Sequence, residues 1–171
     1  PVSIDMDILT RPFWTKWRSE IVIVHALSCW FMVGLIWTIH TVHYPLFADV
    51  GSENYAQFQA HHVERIGKLL VVPWAIEGIT AMLLIVVIPR QQKLLVIAGA
   101  ILMASILVLS GLVSAPAHAE LADGFEESVH SQLMNANLAR TLLWTLRGLI
   151  AASLLFTTFT QKSTLKIERA P

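Results

Sequence analysis

The histidines are the residues of this sequence whose spacing most clearly suggests chemistry. Six of the seven lie near the ends of long apolar runs, and they are His40, His43, His61, His62, His118 and His130. His40 and His43 are three residues apart, so both can project from one helix face. Glu127 precedes His130 by three residues. Imidazole nitrogens grouped with carboxylates are typical ligands of zinc, copper and non-haem iron.

The sequence therefore predicts a transition-metal site (Zn, Cu or Fe) at one end of the protein. Its predicted ligands are His43, His62, His118 and His130, with Glu127 or Glu64 as an anionic partner. His43 is preferred to His40 because Tyr44 and Pro45 end the helix beside it, which leaves His40 one turn deeper. The alternative is that these are interfacial histidines that bond lipid headgroups, water and loop carbonyls. Both interpretations are open at the level of sequence.

Two charged residues lie deep inside apolar runs, where an unpaired charge costs at least about 2.5–3.5 kcal/mol. Glu77 and Arg147 are therefore predicted to pair, directly or through one bridging group. One interpretation is a structural ion pair. The other is catalytic, with Glu77 accepting protons and Arg147 anchoring a carbonyl-bearing ligand such as a quinone headgroup. Pro73 is predicted to kink the helix toward a pocket for this ligand, beneath the histidines. The residues predicted to contact a cofactor there are His40, Trp74 and Trp144.

Two further residues of the first apolar run bear on cofactors. His25 is either an axial ligand to haem or a chlorin or a hydrogen-bond partner of a neighbouring helix. Cys29 is the single cysteine, which excludes an internal disulfide and a cysteine-based zinc or iron–sulfur site. Haem, chlorin and quinone are therefore open alternatives to a transition metal as the cofactor.

Composition indicates the elements that must position these residues. The chain has 171 residues, of which 55% are hydrophobic and 14% are charged, whereas about 25% charged residues is usual in a soluble domain. The lipid bilayer is therefore its expected surroundings. The formal net charge is zero, so no basic field exists to bind nucleic acid.

The apolar runs predict an all-α, polytopic four-helix bundle that forms a single membrane domain over residues 1–171. The predicted spans are about 21–44, 66–88, 94–113 and 138–160. The short connection 89–93 makes spans two and three antiparallel neighbours. The first run follows charged residues and lacks a small-residue cleavage site, so a retained span is expected rather than a signal peptide.

The basic residues predict the orientation of the bundle. Eight of twelve fall on one side, namely Arg11, Lys16, Arg18, Arg90, Lys93, Lys162, Lys166 and Arg169. Cytoplasmic loops retain such residues, so both termini are expected in the cytoplasm and the histidines at the outer mouth. The expected location is the bacterial inner membrane, with residues 1–19 forming an amphipathic cytoplasmic tail.

Several short motifs are similar to those of a group of four-helix bacterial integral membrane proteins without an assigned activity. They are His43-Tyr-Pro-Leu-Phe47, His62-x-x-Arg65, Pro73-x-x-x-Glu77, Pro116-x-His118 and Asn137-x-x-Arg140. The resemblance covers roughly residues 40–150. It implies the topology and the choice of residues, but not a reaction. A fainter likeness to small anthrone-oxygenase-like membrane proteins rests on topology alone.

Three classes of function compete at this stage. The first is a metal- or cofactor-binding membrane protein, with oxidoreductase activity on a lipophilic or quinone-like substrate as its enzymatic form. The second is a non-catalytic accessory subunit of a larger respiratory or photosynthetic complex, which the tail 1–19 favours. A homo-oligomer is a separate open alternative for its partners. The third is a transporter or channel, for which four spans make a thin pathway.

Overall fold

The computed structural model describes residues 16–168, and the side chains of residues 16–160. The described residues form helices and contain no strand. The main helices are α1 (Arg18–Thr38), α2 (Tyr55–Val87), α3 (Lys93–Leu109), α4 (Ala115–Leu121) and α5 (Glu127–Glu168). Most of the predicted tail 1–19, with Arg11 and Trp14, lies outside the described residues, as does Arg169.

Four helical segments are long and apolar enough to cross a membrane, which confirms the all-α prediction and the number of candidate spans. The segments are Arg18–Asp49, Ser52–Val87, Arg90–Leu121 and Glu127–Thr160. We call the end of the bundle that carries His43, His62 and His118 the histidine end, and the opposite end the Pro89 end.

Two helices begin before the membrane spans that the sequence predicts within them. α2 begins at Tyr55 rather than near residue 66, and α5 runs without a break from Glu127 through the predicted start at 138. Neither added stretch contains Pro or Gly, so nothing in it interrupts a helix. Each also has apolar side chains to bury at the histidine end, among them Tyr55 and Leu133. α2 also continues through Pro73 as one helix.

The helices pack in a ring in which α2 and α5 face each other across the bundle. α1 contacts both α2 and α5, while α3 contacts α5 and, less closely, α2. Gly148 permits the close contact of α5 with α1, because a Cβ atom there would lie 3.0 Å from Val33 Cγ2. Gly124 adopts a φ of +151° in the turn before α5, a conformation that only glycine takes readily.

Candidate functional site

Two π-helical turns interrupt the spans at the histidine end. They cover Ile39–His43, directly after α1, and Ser110–Ser114, between α3 and α4. A π turn adds a residue to the helical repeat, so it rotates the side chains that follow, and such turns are frequent at functional sites. Here they precede Tyr44 and His118, which both face the interior of the bundle.

Three of the predicted metal ligands come together at this end. His43 Nε2 lies 2.8 Å from His62 Nδ1, and the ring centroids of His62 and His118 are 5.1 Å apart. His62 is buried, and its Nε2 has no hydrogen-bond partner among the described residues. The imidazoles therefore come from three segments of the chain to one place.

The other predicted ligands are arranged differently. His130 Nε2 donates to the Tyr44 carbonyl oxygen at 2.8 Å, and its ring packs against Phe47 with centroids 6.2 Å apart. Glu127 is exposed in the first turn of α5. The helix dipole stabilises a negative charge at this position. Among residues 16–160, no group of three or more His, Cys, Asp or Glu side chains is arranged to hold a metal. Metal binding stays a prediction.

Phe47 holds the histidines together. It is fully buried, and its ring centroid lies 5.4 Å from that of His43 and 5.0 Å from that of His62. The distance to the His118 ring is 6.4 Å. A rigid ring in contact with each imidazole fixes their mutual positions.

A central cavity of about 190 Å³ lies below the histidines, between all four spans. Its walls are mostly apolar and include Trp74 and Trp144, two of the three residues predicted to contact a cofactor. His40, the third, does not line it; its ring packs edge-on against Trp37. The polar lining residues are Tyr44, Ser110, Ser114, His118 and Arg140.

Several hydrogen-bond donors of the cavity residues lack partners. Trp74 Nε1, Ser114 Oγ and Arg140 Nε are buried and have no hydrogen-bond partner in the described part of the chain. The rest of the Arg140 guanidinium is engaged, because Nη2 donates to Asn137 Oδ1 at 2.7 Å and Nη1 to Ser110 Oγ at 3.2 Å. Buried donors without partners are rare in proteins. Three such donors around one cavity therefore favour a bound molecule that supplies hydrogen-bond acceptors.

The predicted ion pair between Glu77 and Arg147 is present. Both side chains are buried, and Arg147 Nε donates to Glu77 Oε1 at 2.9 Å. Arg147 also donates to the Gly99 carbonyl oxygen on α3, and Cys29 Sγ on α1 donates to Glu77 Oε1 at 3.1 Å. The pair thus joins all four long helices.

The ion pair lies outside the central cavity. Neither Glu77 nor Arg147 lines it, and Trp144 intervenes, with its ring centroid 5.5 Å from the Arg147 guanidinium carbon. This geometry favours the structural interpretation, and the catalytic roles of both residues stay predictions. His25 has partners on both ring nitrogens, Thr80 at 2.9 Å and Cys29 at 3.5 Å, which favours a helix-bonding role over axial ligation.

Sequence reasoning missed five residues of this site. They are Tyr44, Phe47, Gln59, Ser114 and Arg140. Phe47 belongs to the motif His43-Tyr-Pro-Leu-Phe47, but a single aromatic residue after a membrane span is common and does not by itself indicate a site. Gln59 precedes His62 by three residues on α2, a spacing that puts both on one helix face. Ser114 carried no signal, because small residues line many helix contacts.

Comparison with known proteins finds no matching family model, no matching curated protein and no matching solved structure. Function is therefore argued from the site itself.

Proposed function

We propose that this is an integral membrane protein that binds a small lipophilic molecule carrying oxygen acceptors in the central cavity. A quinone headgroup is the simplest molecule of that class. The observation that carries the proposal is the set of buried donors without partners on Trp74, Ser114 and Arg140, all residues of the cavity wall. The two π-helical turns beside the cavity add support.

The cavity lining supports a ligand that accepts hydrogen bonds. An indole N–H, a guanidinium N–H and a hydroxyl all donate, so the ligand supplies carbonyl or similar oxygens. The remaining wall is formed by side chains such as Met32, Leu35 and Ile36, which favour an apolar ring. Mostly apolar walls with a few convergent polar groups are typical of small-molecule sites.

The proposed setting is the inner membrane of a bacterium, with both termini in the cytoplasm. The basic residues near the Pro89 end support this orientation, since Arg90 lies in the short connection there and Lys93 begins α3. The ligand then lies in the outer half of the membrane.

We expect Ser114→Ala to change stability and binding in opposite directions. The Ser114 hydroxyl is buried without a partner, so its removal should raise the free energy of unfolding by about 1 kcal/mol. The same change removes a donor to the ligand and should weaken binding about fivefold. Thermal unfolding in detergent measures the first effect. Quenching of tryptophan fluorescence by duroquinone measures the second, because Trp74 and Trp144 line the cavity.

The matched control is Ser105→Ala. Ser105 lies on α3, does not line the cavity and donates to the Ile101 carbonyl oxygen at 3.1 Å. It should leave duroquinone affinity unchanged. Durene, which keeps the methylated ring and lacks the two carbonyl oxygens, should bind poorly. Equal binding of durene and duroquinone would contradict the proposal.

A transition metal at the histidine end is a second candidate, favoured by the 2.8 Å approach of His43 and His62 and by the buried, unpartnered Nε2 of His62. His118 would join these ligands only by giving up its bonds to Tyr44 and Gln59. Protein purified from native membranes without added metal is then expected to contain Zn, Cu or Fe. His62→Ala should lose it, whereas His61→Ala, which alters an exposed neighbour, should keep it. Metal-free wild-type protein, or equal loss in both variants, would rule this candidate out.

Oxidoreductase activity on a quinone-like substrate is the enzymatic form of the first proposal. It requires that the bound ligand exchange electrons as well as bind, and a redox-dependent visible spectrum of the purified protein would support it. The accessory-subunit and homo-oligomer alternatives stay predictions. The tail 1–19, which favours an accessory subunit, lies mostly outside the described residues.

A further inference from the structure

Gln59 has a defined amide orientation. It lies on α2, is fully buried, and its Nε2 donates to the His118 carbonyl oxygen at 3.2 Å. A carbonyl oxygen only accepts, so the reversed amide would place two oxygens against each other. The same Nε2 lies 2.8 Å from His118 Nδ1. Its two protons therefore serve the backbone and the ring of one residue.

This orientation determines the tautomer of His118. Because Gln59 Nε2 donates to His118 Nδ1, that ring nitrogen must accept and carries no proton. Neutral His118 then holds its proton on Nε2. The Tyr44 hydroxyl oxygen lies 2.9 Å from His118 Nε2, so it accepts a hydrogen bond from the His118 Nε2–H group.

The tautomer in turn frees the proton of Tyr44. A hydroxyl group that accepts a hydrogen bond can still donate its own proton elsewhere. Tyr44 accepts from His118 Nε2 and therefore keeps its own O–H proton available. Tyr44 also lines the central cavity.

We propose that Tyr44 is a specificity-determining donor of the central cavity, and that Gln59 is a positioning residue that directs the Tyr44 proton toward the ligand through the tautomer of His118. The inference deepens the proposed function and rests on it for the presence of a ligand. It makes Tyr44 a further donor beside Trp74, Ser114 and Arg140. A cavity surrounded by donors selects a ligand whose oxygens accept and rejects one that lacks them.

Gln59→Glu tests the mechanism at a residue that does not line the cavity. A carboxylate cannot donate to His118 Nδ1, so His118 should move its proton to Nδ1 and accept from Tyr44 at Nε2. The Tyr44 proton is then no longer free for the ligand. Duroquinone binding should weaken about tenfold, as in Tyr44→Phe, and the double variant should be no weaker than either single one.

The experiment combines two readouts on full-length protein in nanodiscs. ¹⁵N NMR of labelled histidine distinguishes protonated from unprotonated ring nitrogens, with the His118 signals assigned by their loss in His118→Gln. Tryptophan quenching gives the duroquinone affinity. We expect protonated Nε2 in the wild type and protonated Nδ1 in Gln59→Glu. Gln57→Glu, an exposed change on the same helix, should alter neither readout.

The outcomes separate this inference from the proposed function. A wild-type His118 protonated at Nδ1, or a tautomer unchanged in Gln59→Glu, overturns the inference regardless of duroquinone binding.

If Gln59→Glu does not fold, Gln59→Met removes the donor instead and should yield a mixture of His118 tautomers. A single Nε2-protonated form in Gln59→Met overturns the inference. The expected tautomers with additive loss of affinity in the double variant also overturn it. The expected tautomers with no duroquinone binding in any protein support the assignment of His118 and overturn the proposed function.

Discussion

Replacing Glu77 with alanine is expected to lower the free energy of unfolding by about 3–5 kcal/mol, because it leaves a buried cation without its partner. Glu77 and Arg147 are both buried and bonded to each other. Arg147 would retain the Gly99 carbonyl oxygen, the Trp144 ring and a long contact to Cys29 Sγ at 3.9 Å, none of which carries a negative charge. The measurement is unfolding in mixed detergent micelles.

The double variant Glu77→Leu/Arg147→Met is expected to be much less destabilised than Glu77→Ala. It removes both charges together and fills the space with apolar groups of similar volume, so no charge is stranded. The matched control is the exposed pair of Glu64 and Lys68 on α2, 2.5 Å apart. Glu64→Ala should change the free energy of unfolding by no more than about 0.5 kcal/mol. A double variant as unstable as Glu77→Ala would refute the structural role of the pair.

Phe47→Ala is expected to cost about 3–5 kcal/mol of unfolding free energy, the usual range for removing a buried aromatic ring. It should also weaken duroquinone binding, because Phe47 contacts His118 and Tyr44, two residues of the cavity wall. Thermal unfolding and tryptophan quenching on the same sample measure both effects.

Leu46→Ala is the control for Phe47→Ala. Leu46 precedes Phe47 in the same short helix, Pro45–Asp49, and is half exposed. Its replacement should alter stability by no more than about 0.5 kcal/mol and leave binding unchanged. Similar losses in both variants would show that the turn, and not the Phe47 ring, supports the histidines.

The sequence by itself determined the class of fold and the deep ion pair. Long apolar runs leave helices as the only way to satisfy the backbone of a spanning segment other than a closed barrel, and four such helices are present. Glu77 and Arg147 were predictable as partners because a buried charge needs a counter-charge and each lies deep in an apolar run. The gathering of His43, His62 and His118 also followed from their positions near helix ends.

Only the tertiary structure decided which polar atoms of the site are satisfied. Where a side chain points depends on helix rotation, and the two π-helical turns alter that rotation just before Tyr44 and His118. Gln59 and His118, which bond each other, lie 59 residues apart in the chain, so no local spacing reveals their contact. Hydrogen bonds depend on distances of a few tenths of an ångström, and such distances arise from packing between helices rather than from the pattern along any one of them.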